Sequence, residues 1–145
     1  MVHEATVFVS APPEVVFAIY RDVAHWHTWD PDTKAATLEG PFAVGARGQL
    51  TPTKGRPVPM QIVEVTENSS FTVECQVPMF CMKFEHELAA ANQGTQVTQR
   101  LRTSGFLGFL LNPVIGKQVR EGFPKTLASL KRLAEQRHAA AAGCG

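Results

Sequence analysis

The stretch from Phe71 to Thr103 does most to limit what this chain can become. Phe71, Val73, Cys75 and Val77 alternate with Thr72, Glu74 and Gln76; after Pro78, Phe80, Met82, Phe84, His86 and Leu88 alternate with Cys81, Lys83, Glu85 and Glu87. A period of two over runs this long is the pattern of half-buried strands. Asn92-Gln93-Gly94 then turns the chain into Thr95–Thr103, where Val97 and Leu101 share a face with Gln99 and Thr103. Short links between such runs make hairpins, and the sheet they build has one apolar face to cover. After Gly105 and Gly108 the period becomes helical. Phe109, Leu110, Leu111, Val114, Ile115, Val119, Phe123, Leu127, Leu130 and Leu133 or Ala134 form one long stripe, large enough to cover that face. Pro124 sits inside this helix, well past its first turn, and predicts a bend there.

Upstream, Val2–Val9 reads as a strand that stops at Ser10-Ala11-Pro12-Pro13. Ser10 is placed to cap a short helix whose first turn tolerates proline, with Val15, Val16, Ile19 and Tyr20 at helical spacing to about Arg21. Asp22 starts a second short helix that Asp30-Pro31 ends. Shorter strands are predicted at Thr33–Leu38 and Gly45–Thr51, and a longer one at Val58–Val65, with Pro57 and Pro59 marking its start as irregular or at an edge. The order is strand, two short helices, about six antiparallel strands and one long helix. This is an α+β chain of one domain, residues 1–137, with an Ala/Gly-rich tail at 138–145 expected to be flexible.

The chain is 44% hydrophobic and 19% charged, with a formal net charge of +1, so it can build a core and offers no basic stripe for nucleic acid. No apolar run approaches the roughly 20 residues of a membrane-spanning helix. The residues after Met1 lack a basic region followed by an apolar block, so a cytoplasmic location is expected. Cys75, Cys81 and Cys144 are odd in number, and the first two fall on opposite phases of their strands, so free thiols are expected.

Several motifs are weighed and set aside. His25 and His27 flank Trp26 without a marked third ligand, so no metal site is expected. Trp26 and Trp29 read as anchors of the short helices. Gly105-x-x-Gly108 lacks the strand, loop, helix and lysine context of a phosphate cradle. No cofactor motif is present. The carboxylates Asp22, Asp30, Asp32, Glu64 and Glu74 are not paired by pattern on one buried face, and there is no Gly-x-Ser-x-Gly. His86 and Gln99 differ, because each is a polar residue in an apolar phase. Two readings stand: they bond each other or a buried water, or they orient the polar head of a ligand.

Val9-Ser10-Ala11-Pro12-Pro13-Glu14-Val15-Val16-Phe17 at the first junction, Asp22 with Trp26 and Trp29-Asp30, the pair Gly40 and Gly45, Ile62-Val63-Glu64-Val65, His86-Glu87-Leu88 followed by Gly94-Thr95-Gln96-Val97-Thr98, and Leu127–Glu135 together resemble the START-like superfamily, also called SRPBCC or Bet v 1-like. Within it the likeness is to the polyketide cyclase/dehydrase group, and it spans nearly the whole chain. The resemblance implies a helix-grip fold, a curved antiparallel sheet wrapped around the C-terminal helix with an apolar cavity between them. Val73, Cys75, Met82, Phe84, Val97, Ile115, Val119 and Phe123 would line that cavity, with His86 and Gln99 as its polar spot and Trp29 at its mouth. Members of the superfamily include lipid and hormone binders, aromatic cyclases and chaperone co-factors. The leading expectation is therefore binding of a small hydrophobic molecule (lipid, polyketide, sterol-like or quinone-like). The alternatives are a cyclase or dehydratase using His86 as acid or base, and an interaction protein acting through its outer surface. The ligand, any reaction and the oligomeric state are not read from the sequence.

Overall fold

The computed structural model describes residues 2–143. The elements are β1 (Val2–Val9), α1 (Pro13–Arg21), a 3₁₀ helix (Val23–Thr28), β2 (Thr33–Leu38), β3 (Arg47–Pro52), β4 (Val58–Thr66), β5 (Ser70–Val77), β6 (Phe80–Ala91), β7 (Gly94–Ser104) and α2 (Gly108–Gly143). All seven strands join one antiparallel sheet in the order β1-β7-β6-β5-β4-β3-β2. The sheet curls into a half-barrel and α2 packs along β1, meeting β7 and α1 as well. This is the helix-grip arrangement the alternating strands and long stripe call for.

The strand register converts each period-two pattern into a row across the inner face. One row runs Ala5, Gln99, His86, Phe71 and Val65; the next runs His3, Leu101, Phe84, Val73 and Ile62. Cys75 stands between Met60 and Met82 in a third. Val9, Val16, Phe17, Ile19, Phe71, Val97, Leu127 and Leu130 are wholly buried here. Each large apolar side chain so buried stabilises the fold by about 1.5–3 kcal/mol relative to exposure. Leu101, Val119 and Phe123 form a second cluster, bridged to the first by Ala5, Met82 and Phe84.

Two expectations need correction. Ser10 is not the helix cap: Pro12 holds that position without a side-chain bond, and the Ser10 amide instead donates to Glu135 on α2. The two prolines shift the helix start past Ser10, because the residue before a proline is driven to extended backbone. The long stripe is covered over only part of its length. Phe109, Leu110, Leu111 and Val114 are exposed, since neither the sheet nor α1 reaches them, and packing begins at Ile115 and Val119. The α2 helix contains both Pro124 and a second proline, Pro113. Beyond Glu135 the helix continues with exposed side chains through Ala142. The expected tail reaches Cys144 and Gly145, which lie outside the described residues.

Candidate functional site

The residues selected from the alternating strands do share the inner face. Val73, Cys75 and Val97 are buried in the main core, and Val119 and Phe123 approach from α2 in the second cluster with Ile115 partly buried beside them. Along β6 burial is uneven. Phe80, His86 and Leu88 are buried, whereas Met82 and Phe84, which point the same way, keep part of their surface. The inner face is therefore sealed at the α1 end and looser over Met82 and Phe84, facing Ile115.

The sealed end is aromatic. Tyr20 from α1 meets His86, Phe71 and Trp29 edge-on, with ring centroids 5.0, 5.0 and 5.8 Å away. Phe42 adds a further edge-on contact to Phe71 at 5.2 Å. Trp26 is buried and its Nε1 donates to the Tyr20 carbonyl at 2.8 Å, while Trp29 is half-buried against Tyr20. Both tryptophans thus anchor the short helices to the sheet. Their role followed from their apolar bulk at one point of the chain.

His86 and Gln99 stand directly opposite each other in the β6–β7 register, as the hairpin requires. Among the described residues their side chains do not bond each other. Gln99 Oε1 accepts from the Tyr20 hydroxyl at 3.0 Å. The His86 ring stacks on Phe71 at 4.0 Å and 3°, and its Nδ1 lies 3.2 Å from the Phe71 carbonyl, so Nδ1 carries the proton and donates. Burial pushes the His86 pKa down from 6.5 to about 4, against the carbonyls of Phe71 and Phe84, which favour the charged ring. Burial likewise holds Tyr20 well above its ordinary value, with the charge of Asp30 adding to it. Tyr20 is the residue of this site that strand patterning alone misses. Its position on the apolar stripe of α1 marked it as core, but only the packing of α1 over β6 and β7 brings its hydroxyl to Gln99.

Four of the five carboxylates have structural partners. Asp30 accepts from Thr33 at 2.8 Å and from Thr126 of α2 at 3.0 Å, tying the loop before β2 to the long helix. Asp22 pairs with His25 at 2.8 Å on the surface. Glu64 accepts from Ser70 at 2.7 Å, and Glu74 faces Lys83 at 3.8 Å. Among the described residues no group of three or more His, Cys, Asp or Glu could hold a metal ion. Cys75 and Cys81 are free thiols; burial, aided by the charges of Cys81 and Glu74, pushes Cys75 up to about 12.

Two open hollows lie at the surface. One, of about 550 Å³, runs between Arg21–Ala24 and the β2–β3 connection at Leu38 and Gly40–Phe42. The other, of about 520 Å³, lies over β5 and β6 among Glu64, Ser70, Thr72, Glu85 and Glu87. Of the residues chosen from the sequence, only His86 borders either one.

A half-barrel gripping a C-terminal helix, with two short helices closing one end, defines a START-like, Bet v 1-like protein. Residues 2–135 match the model of the family described as polyketide cyclase / dehydrase and lipid transport, and the chain belongs to that family. A search of curated proteins finds no match. Among solved structures, TTHA0849 from Thermus thermophilus is similar with a TM-score of 0.74 at 18% identity, over 97% of this chain and 99% of that one. NE0264 from Nitrosomonas europaea aligns with a TM-score of 0.76 at 15% identity, over 96% and 97% of the two chains. The di-domain ARO/CYC StfQ from the steffimycin biosynthetic pathway aligns with a TM-score of 0.73 at 13% identity, over 98% of this chain and 51% of that one. At these identities the likeness is one of fold.

Proposed function

We propose that the protein binds a small hydrophobic molecule, of lipid, polyketide, sterol-like or quinone-like type, in the apolar space between the inner face of the sheet and α2. The observation that carries this reading is the partial exposure of Met82, Phe84 and Ile115, inward-pointing side chains in an otherwise buried face. Partly open apolar side chains forfeit contacts that a bound apolar molecule would supply. In this reading Val73, Cys75 and Val97 form its floor, with Val119 and Phe123 on its helical wall. The family description, which joins cyclases with lipid transport, supports an apolar ligand.

The likeness to an aromatase/cyclase favours the enzymatic alternative, with His86 as acid or base. The geometry favours binding. An effective base near neutrality needs a pKa close to the working pH and an unengaged nitrogen aimed at substrate. His86 instead sits at about 4, with its buried ring stacked on Phe71. The Tyr20–Gln99 pair is a hydrogen bond between neutral groups and is no acid–base couple. Native mass spectrometry of gently purified protein tests the reading. A co-purified small molecule is expected, and Phe84→Trp, which fills the space, should release it. Protein that carries no adduct and takes up no apolar probe would overturn the proposal.

A further inference from the structure

The exposed start of α2 forms an apolar tip with a basic collar. Phe109, Leu110, Leu111 and Val114 are 68%, 59%, 39% and 58% exposed, and Phe106 just before them is 67% exposed. At 100° per residue these helical positions, with Pro113, cover the whole outward arc of the first turns, some 200° wide. One turn further on the same arc carries Lys117, Gln118 and Arg120, all exposed. Hydrogen bonds tie the tip to the sheet and its turns. The Leu107 amide donates to the Met79 carbonyl at 3.1 Å, and Thr103 donates to Asn112 at 2.8 Å. Gly105 has φ +109°, and a Cβ there would strike the Met79 carbonyl, so only glycine lets the two turns meet this closely. Met79 itself is 59% exposed and extends the patch.

Charge at this end is mostly basic, with Lys83 facing Glu74 at 3.8 Å. The register Met60↔Cys75 places the turn before β4 at the same end of the sheet as Pro78-Met79. The three segments that converge here, 52–59, 75–83 and 104–120, contain five Lys or Arg and no Asp or Glu, with Glu74 and Glu121 directly flanking them, although the whole chain has a formal net charge of only +1. Lys54, Arg56, Lys117 and Arg120 take part in no ion pair among the described residues.

We propose that this end of the molecule docks onto the surface of an anionic lipid bilayer. Phe106, Phe109, Leu110 and Val114, with Met79, enter the boundary between headgroups and acyl chains, while Lys117, Arg120, Lys54 and Arg56 meet the phosphates. The axial distance suits this. From Phe109 to Lys117 the helix rises about 12 Å, close to the 5–10 Å depth at which interfacial helices bury their apolar side. A partner protein's groove would take a narrow stripe, and a convex apolar arc ringed by cations fits a lipid surface better. The docking is independent of what the inner space holds.

Co-sedimentation with vesicles tests the proposal. The parent protein is expected to pellet with phosphatidylcholine vesicles containing phosphatidylglycerol, to pellet far less with phosphatidylcholine alone, and to be released by high salt. Phe109→Ser with Leu110→Ser should weaken binding by about tenfold or more. Lys54→Gln with Lys117→Gln should lower binding to anionic vesicles while leaving the fold intact by circular dichroism, and it carries the test if the serine pair does not fold. Val44→Ser, at another exposed apolar residue on the β2–β3 connection, should change nothing. Absence of binding to anionic vesicles, equal binding by all variants, or concentration-dependent self-association through the tip without vesicle binding would overturn it.

Discussion

His86→Phe isolates one buried proton site. In the folded protein burial lowers the His86 pKa from 6.5 to about 4, whereas the unfolded chain keeps the ordinary value. Between those two pH values the unfolded chain binds a proton that the native state refuses, so stability falls as pH falls. The contribution is fully present above pH 6.5, declines by about 1.4 kcal/mol per pH unit, and is exhausted near pH 4, a loss of about 3 kcal/mol. Phenylalanine keeps the 4.0 Å stack on Phe71 but removes the hydrogen bond to the Phe71 carbonyl. At pH 7.5 the variant should therefore be less stable than the parent by about 1–3 kcal/mol. Towards pH 4.5 that gap should close or reverse, because only the parent must protonate a buried ring. Urea midpoints followed by far-ultraviolet circular dichroism from pH 8 to pH 4.5 read this directly, with a relative shift of about 1–2 M expected. The other histidines and the carboxylates are present in both proteins and cancel in the difference. A gap that stays constant across this range would refute the buried, neutral histidine.

Three further outcomes follow from the packing. Tyr20→Phe removes the donor to Gln99 Oε1 and should cost about 1–3 kcal/mol, with a Tyr20→Phe/Gln99→Leu cycle showing coupling of about 1 kcal/mol; additive losses would contradict the bond. A thiol reagent at neutral pH should label Cys81 slowly, because burial and the charge of Glu74 raise its pKa, and Cys75 only on unfolding, since Cys75 is 1% exposed with its pKa near 12; equal labelling rates in native protein would place Cys75 elsewhere. Gly48→Ala should destabilise by more than about 1 kcal/mol, because its Cβ would meet the Thr37 carbonyl across the β2–β3 ladder; an unchanged melting curve would refute that close approach.

The strands were legible because a period of two states both the element and the face. Expected strands at Val2–Val9, Thr33–Leu38 and Val58–Val65 match β1, β2 and β4 to within a residue. The inward phase of His86 and Gln99 was legible for the same reason. Their partners were not. The Phe71 carbonyl comes from the β5–β6 register and the Tyr20 hydroxyl from the angle at which α1 crosses the sheet, and neither is written in a local pattern. Helical periodicity likewise names a face but not its cover. Phe109, Leu110 and Val114 continue the apolar stripe of Val119, Phe123 and Leu127, yet only the latter meet other elements. Ser10 misled because a good capping side chain was outweighed by the two prolines that follow it.

Whether the space over Met82 receives a ligand can be asked of the methionines themselves. Met60 and Met82 lie on the inner face, the first buried and the second partly so, while Met79 is exposed on the β5–β6 turn. Methyl-¹³C methionine spectra recorded during titration with 2-naphthol, an apolar aromatic probe with one hydroxyl, report each position separately. The account predicts saturable shifts at Met82 and Met60, with Met79 unmoved and the inner shifts abolished in Phe84→Trp. Shifts confined to Met79, or inner methyls that never respond, would contradict ligand binding between the sheet and α2.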